Sequence, residues 1–480
     1  MDPHVLIFPL PLQSPIKSML KLAELLCLAG DIAVTFLNTD QLHRRLLSCT
    51  NIHSHFSKYP QFRFETISDG LAEDNPRTAD RFMELIDGME AVTKPLFREM
   101  MVNGGCLSSS SEKPVTCIIT DGPMSFVFAV TEEVGIPLIY FDTISPSALW
   151  TYFCFPKLID ACEIPITGHD LDAPVKNVPG MEGFLRRRDL PSFCRAEHLK
   201  DSDIQFYLNA ILFFPRSQGL VLNTFEELDG SVISGLRSFC PNLYPIGPIH
   251  AHLKNKLASQ VTPPPTASSS LWKEDWNCIE WLDVQSPKSV IYVSIGSQAV
   301  MTKDQLLEFW HGLVNSGHRF LWVIRSNSIA GENSWEGRIP NELLEATKMR
   351  GCLVTWAPQE EVLAHPSVGG FLTHNGWNST LESVVEGVPM LCWPCFLDQQ
   401  VTSRFVSEVW KLGIDMKDTC DRAVIETMIR NLMGVRRDEF VESAKQMAKL
   451  ARESVSEGGS SSTNLNSLIE YIRLVRLVKV

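Results

Sequence analysis

The chain lacks any run of about 18 consecutive apolar residues, the length a helix needs to cross a bilayer, so no membrane span is expected. It lacks an excess of positive charge. Its 43 Lys and Arg face 56 Asp and Glu, a net charge of −13, which argues against a general nucleic-acid or anionic-membrane binder. No G-x-G-x-x-G follows the first apolar run, so a dinucleotide site has no support. No H-x-x-x-H or H-x-x-E accompanies His365 or His374, and no second cysteine pair accompanies Cys392 and Cys395, so no metal site is implied. The Cys392–Cys395 pair also lacks the helix N-terminus at Cys392 that a redox thiolate needs. No basic segment precedes the apolar start MDPHVLIFPLPLQ, so no secretory leader is expected. The expected compartment is the cytosol, and the odd count of 13 scattered cysteines fits free thiols there. In that compartment the Asn378-Ser-Thr sequon has no meaning for glycosylation.

At 480 residues, 44% hydrophobic and 21% charged, the chain predicts a globular protein of two domains. In the first half, apolar runs at His4–Pro11, Asp31–Asn38, Phe62–Ile67, Val115–Thr120, Ile136–Phe141, Gly219–Asn223 and Tyr244–Pro248 read as strands. Between them Ser18–Ala29, residues 79–101 and the SALWTYFCF stretch read as helices, and Gly104–Pro114 as a polar loop. Val178–Pro191 is irregular; its Arg186-Arg187-Arg188 run could bind phosphate but is read as a solvated or salt-bridged surface. Residues 254–273, with Pro263–Pro265 and Ser268–Ser270, read as a linker. After it, the helix CIEWLD and strands over 289–297, 319–324 and 351–356 open a second alternating unit. A Gly/Ser loop, Ser456–Ser462, precedes a final helix from Leu465 to Leu477. The expected fold is α/β, two doubly wound parallel-sheet domains. The boundaries are 1–253, a 254–273 linker, 274–460, and 461–480 as the last helix.

The stretch from Trp356 to Gln399 organises the second half: WAPQEEVLAHPSVGGFLTHNGWNSTLESVVEGVPMLCWPCFLDQQ, ending one residue beyond Gln399. GGFLT and PMLCW read as buried parallel strands, and STLESVVEG between them as a helix, a βαβ unit. Asn378 and Ser379 stand where that helix begins. Free N–H groups and the positive helix end meet there, so an anion is favoured. Asp398 and Gln399 follow the next strand, at the carboxyl edge where open α/β sheets bind ligands. Trp356 and Trp377 are aromatic groups beside polar turns.

This stretch resembles the sugar-nucleotide signature box of plant UDP-dependent glycosyltransferases in W-A-P-Q, H-P-S-V-G-G-F-x-T-H, G-W-N-S, E-x-x-x-x-G-V-P and D-Q. Asn375 stands where Cys is commoner. The resemblance runs over nearly the whole chain and implies the GT-B arrangement: an acceptor-binding first domain, a UDP-sugar-binding second domain, and a cleft between them. Carried over residue by residue, it implies that Trp356 and Ala357 hold the uracil, and Glu382, with Gln359 beside it, the ribose. Ser297, His374, Asn378 and Ser379 would take the diphosphate, and Asp398 and Gln399, with Trp377 nearby, the glucose. Gln399 resembles the glucose-preferring members. UDP-glucose is then a co-substrate, with no permanently bound cofactor, no metal and no nucleic-acid partner, and the expected state is a monomer. Phe126, Trp150 and Phe184 lie in segments expected to line the acceptor pocket.

One family feature is missing. The family places a His base just after the first strand, in a turn resembling Q-G-H-x-N-P-M-L, with an Asp on a later strand to orient it. Here the turn reads Gln13-Ser14-Pro15-Ile16-Lys17-Ser18-Met19-Leu20, so Pro15 occupies the base position. Ser14 stands for the Gly, Lys17 for the Asn and Ser18 for the Pro. Asp121, in T-D-G-P, remains without a His to orient. Three routes are open. The acceptor is acidic enough to need no base, as a carboxylate or a hemiacetal hydroxyl is. Asp121, or a histidine from an acceptor loop, takes the proton. Or the protein no longer transfers sugar, and the fold serves another reaction on a small molecule or binding alone. PHVLIFPLPLQ, SMLKLAELLCLA, FRFETISDGL and TKPLFREM resemble most the family's iridoid (7-deoxyloganetic acid type) glucosyltransferases, whose acceptors carry a hemiacetal hydroxyl and a carboxylate.

Overall fold

The computed structural model describes residues 3–475 apart from 76, 79–80, 104–113, 167, 169, 197, 260–267, 326–327 and 329–339, and without the side chain of 203. Most of the expected polar loop at Gly104–Pro114 and the Pro263–Pro265 part of the linker lie outside the described residues. Seven parallel strands form the first sheet: β1 (His4–Phe8), β2 (Ala33–Thr39), β3 (Phe62–Ile67), β4 (Cys117–Thr120), β5 (Leu138–Asp142), β6 (Gly219–Leu222) and β7 (Leu243–Pro245). Their order is β3-β2-β1-β4-β5-β6-β7. Six parallel strands form the second: β8 (Val290–Ser294), β9 (Arg319–Val323), β10 (Gly351–Val354), β11 (Val368–Thr373), β12 (Met390–Cys392) and β13 (Gly413–Asp415), ordered β10-β9-β8-β11-β12-β13. Both sheets reverse their order beside the first strand of the sheet, the place where doubly wound sheets open a ligand crevice. The strands are apolar on both faces because helices cover both; Val5, Leu6, Ile7 and Phe8 are fully buried.

Five helices position the site: α1 (Gln13–Cys27), α2 (Gln359–Ala364), α3 (Trp377–Glu386), α4 (Gln399–Arg404) and α5 (Ser460–Leu474). The expected turn at Gln13–Lys17 is already helix. Pro15 is the third residue of α1, where a missing N–H costs nothing because the first turn has no internal acceptor for it. The long helix expected over 79–101 is instead Phe82–Gly88, a π-helical turn at Met89–Thr93 and Lys94–Val102. The linker is less open than its composition suggests. Ile249–Ala258 is helix, and Ser269 and Ser270 are buried. α5 starts five residues before the expected Leu465 and lies on the first domain, with Leu465, Leu468, Ile469 and Ile472 in the apolar layer that includes Tyr244 and Leu253. Arg473 reaches Asp31 at 2.8 Å, and the Asn464 amide donates to Pro245 O at 3.1 Å.

The two domains are tied by specific bonds. The Trp377 indole N–H donates to Asn223 O at 2.8 Å, and that of Trp410 to Leu228 O at 3.2 Å. The Arg186–Arg188 stretch belongs to this seam. Arg186 pairs with Asp189 and Asp172, Arg188 with Asp172 and Asp418, while Lys417 pairs with the fully buried Asp189 at 2.6 Å. Arg186 and Arg188 are therefore salt-bridged, with partners on both domains.

Candidate active site

A cavity of about 1080 Å³ lies between the carboxyl ends of the two sheets. It is roomy enough for a sugar nucleotide and a small second molecule, pockets for one drug-sized ligand being roughly 300–1,000 Å³. Its second-domain wall contains Ser297, Trp356, Ala357, Gln359, His374, Trp377, Asn378, Ser379, Glu382, Asp398 and Gln399. Every donor-side residue expected from the sequence is thus brought to one surface, and Pro15 and Asp121 face it from the first domain.

The local backbone explains the convergence. β11 ends at Thr373, and Asn375 follows at φ 61°, a left-handed conformation that Asn tolerates better than most residues. Its side chain turns away from the cleft to Cys392 Sγ at 3.2 Å. The His374 ring is wedged against Gly296 and Gly376. A Cβ on either would approach its Nε2 to 2.3 and 2.5 Å, so both positions exclude side chains. Burial, and then the charge of Arg325, push His374 down to about 4, leaving a neutral ring as a hydrogen-bond partner. α3 begins at once, presenting Asn378 and Ser379 in its first turn. Gln359 ties this turn together: its amide donates to Ser379 Oγ at 2.9 Å and Glu382 Oε2 at 2.8 Å, while Tyr292 donates to its carbonyl at 3.2 Å. Trp356 stacks on Trp272 with ring centres 4.6 Å apart, and Arg45 caps the far face of Trp272 at 4.2 Å. Trp377 is buried, with its N–H committed to the domain seam and its ring against Trp410 at 6.1 Å.

Asp398 and Gln399 open α4. Gln399 accepts from the backbone N–H of Cys395 at 2.9 Å and of Phe396 at 3.1 Å, which leaves its amide nitrogen as the group for a ligand. Burial pushes Asp398 up to about 7. Cys392 and Cys395 are separate free thiols, and burial raises Cys395 to about 12, an unreactive state.

On the first domain, Asp121 follows β4. It accepts from the Gly122 N–H at 3.0 Å and from Thr143 Oγ1 at 3.3 Å, and burial raises it to about 7. Asp142, at the end of the neighbouring β5, was not anticipated. Its carboxyl comes close because residue 122 is glycine: a Cβ there would lie 3.2 Å from Asp142 Oδ2. Burial and the charge of Asp121 raise Asp142 well above the usual carboxylate range. Its signal in the sequence was the same as that of Asp121, an acid ending an apolar strand.

Phe126, Trp150 and Phe184, expected in the acceptor pocket, do not line it. Phe126 packs on Phe8 and Phe97 in the core. Trp150 donates to Pro179 O at 3.0 Å and lies against Phe239. Phe184 meets Phe405 at the domain seam. Tyr152, Phe193, Tyr207 and Phe214 line that end instead. Tyr152 stands two residues after Trp150 on the same helix, which turns it to the opposite side.

The described geometry matches known proteins. Residues 270–445 match the family model described as UDP-glucoronosyl and UDP-glucosyl transferase. A 7-deoxyloganetic acid glucosyl transferase of Catharanthus roseus is 54% identical over 473 residues, covering 98% of each chain. A myricetin 3-O-rhamnoside 1,2-glucosyltransferase of Crocosmia x crocosmiiflora is 42% identical, over 99% of this chain and 96% of its own. The crystal structure of Os79 from O. sativa in complex with UDP superposes with a TM-score of 0.81 at 27% identity, over 98% of this chain and 100% of that one. With two facing parallel-sheet domains and relatives of this identity over its whole length, the chain belongs to the UDP-glucoronosyl and UDP-glucosyl transferase family and has its GT-B fold.

Proposed function

We propose that this protein transfers glucose from UDP-glucose, with inversion, to the hemiacetal hydroxyl or the carboxylate of an iridoid-type acceptor, without a histidine base. The observation that carries the reading is one cavity in which every residue proposed for the donor faces Asp121 across the space beside Pro15. The relatives that act on 7-deoxyloganetic acid support the acceptor class.

In this reading Trp356 and Ala357 hold the uracil, Glu382 the ribose diol, and Ser297, His374, Asn378 and Ser379 the diphosphate. Asp398 and Gln399 hold the glucose hydroxyls. The acceptor oxygen attacks the anomeric carbon from the face opposite UDP. The bond from that carbon to the β-phosphate oxygen breaks, and UDP leaves with the electron pair. A hydroxyl acceptor gives its proton to the Asp121 carboxylate; a carboxylate acceptor has none to give. Residues 1–253 carry the acceptor and residues 274–460 the donor, joined by 254–273, with α5 returning to the first domain. A cytosolic monomer is the corresponding setting, and the free thiols at every described cysteine support a reducing compartment.

The pH dependence tests this. Asp121 accepts a proton only when ionised, and it titrates near about 7. With a hemiacetal acceptor kcat/KM is expected to rise about tenfold per pH unit below that value and to level off above it. With a carboxylate acceptor, already ionised from about pH 5 upward, the Asp121 limb is expected to be absent between pH 6 and 8 when both profiles are read at saturating UDP-glucose, so that Asp398, also raised to about 7, does not enter either. Identical profiles for the two acceptors count against Asp121 as the proton's destination.

A further inference from the structure

Of the four positions at which the start of α1 departs from the family pattern, three, Ser14, Lys17 and Ser18, carry side chains that cross the cleft to the wall formed by the second domain. Asn378 donates to Ser14 Oγ at 2.9 Å and to Ser14 O at 3.1 Å, and accepts from Ser18 Oγ at 2.9 Å. Lys17 Nζ lies 2.7 Å from Glu382 Oε1 and 2.9 Å from Glu360 Oε1. Lys21 adds a second contact to Glu360 at 3.1 Å. Glu382 is 2% exposed, and its other oxygen is held by Gln359.

We propose that Lys17 is a positioning residue of the donor site, supplied by the acceptor domain, that pairs with the buried Glu382 carboxylate and keeps it oriented for the ribose diol. This rests on the reading of Glu382 as the ribose acceptor. A buried carboxylate without a partner turns toward whatever donor is near, because removing a charge from water costs several kcal/mol per ion unless it is paired. Turned away, it no longer presents an oxygen to two adjacent hydroxyls. Lys17 is the cation that prevents this. Burial works against its ammonium, but the charges of Glu360 and Glu382 outweigh burial and hold its pKa above the ordinary lysine value. Because Glu360 anchors the same ammonium independently, Lys17 keeps its place when ribose hydroxyls arrive at Glu382. An asparagine at position 17, the residue usual in the family, has no charge to offer. This chain therefore recognises the ribose with both domains, and its donor site is complete only with the cleft closed.

The test compares UDP with 2′,3′-dideoxyuridine diphosphate by titration calorimetry on the full-length protein. The unaltered protein is expected to prefer UDP, and its failure to bind UDP at all would overturn the proposed function itself. Lys17→Met is expected to weaken UDP about tenfold or more, the usual effect of losing a hydrogen bond to a charged group. It is expected to leave the dideoxy compound within about threefold, so that the preference collapses. Lys17→Arg is expected to restore most of the preference. Equal weakening of both nucleotides in Lys17→Met would make Lys17 a domain tie only, and an unchanged preference would show that Glu382 does not depend on it. Either result overturns the proposal. A variant that fails to fold is replaced by Glu360→Gln, which loosens the same ammonium and is expected to reduce the preference in the same direction; no reduction counts against the proposal.

Discussion

Asp121→Asn is expected to slow glucose transfer to a hemiacetal hydroxyl by about 10²–10⁴-fold, the range a positioned general base contributes. The substitution is nearly isosteric. An asparagine carbonyl still accepts from Gly122 N–H and Thr143 Oγ1, the two contacts that fix the side chain. What it removes is the ability to take a proton. Burial leaves Asp121 poised near about 7, and a base of that strength is well matched to a neutral medium. With a carboxylate acceptor the same variant is expected to retain activity within a few-fold. The check is kcat measured on both acceptor classes under saturating UDP-glucose. Equal losses on both would mean that Asp121 holds the first-domain loop in shape and leaves the proton to another group.

Asp398→Ala is expected to reduce kcat/KM for UDP-glucose by on the order of 10²-fold or more, since a carboxylate bonding sugar hydroxyls loses about 1.5–3 kcal/mol per bond. UDP itself is expected to bind within about threefold of normal, because Asp398 lies after β12, beyond the Trp356–Glu382 surface assigned to the nucleotide. The carboxyl also takes a hydrogen bond from the Ser145 backbone of the first domain, so the alanine variant loses a domain contact as well. Asp398→Asn separates the two effects: it keeps an acceptor for Ser145 and gives up the charge. Calorimetry with UDP and UDP-glucose reads both. Equal loss of both ligands would refute the assignment of Asp398 to the sugar.

That the residues proposed for the donor share one cavity wall was legible in the sequence, because most of them lie on one βαβ unit. A strand, a tight turn and a helix start fix where His374, Asn378, Ser379 and Glu382 point once the strand is recognised. The acceptor end was not legible in the same way. Apolar spacing shows that Phe126, Trp150 and Phe184 are buried, but not which neighbour each one meets, and all three pack on other aromatic side chains. Tyr152 was passed over although it stands on the same helix as Trp150, and Tyr207 stands on a helix, Ser202–Ala210, that the apolar spacing did not announce. β13, three residues over Gly413–Asp415, is too short to carry an alternating or apolar signature. The helical start at Gln13 was hidden by Pro15, which reads as a turn residue until its place in the first turn is known. Lys17 and Glu382 are 365 positions apart, and no local pattern announces a pair at that separation.

The central claim is that a family member with proline in the base position still transfers sugar, and does so to acidic acceptors. The most direct measurement is mass-spectrometric turnover of the purified protein with UDP-glucose and a panel of iridoid hemiacetals, carboxylic acids, phenols and plain alcohols, with UDP release followed in parallel. The account predicts glucosides of the hemiacetals and carboxylic acids, with UDP released in equal amount and plain alcohols slower by about 10²-fold or more. Binding of UDP-glucose without a glucoside from any acceptor, or transfer to plain alcohols as fast as to the acids, would contradict it.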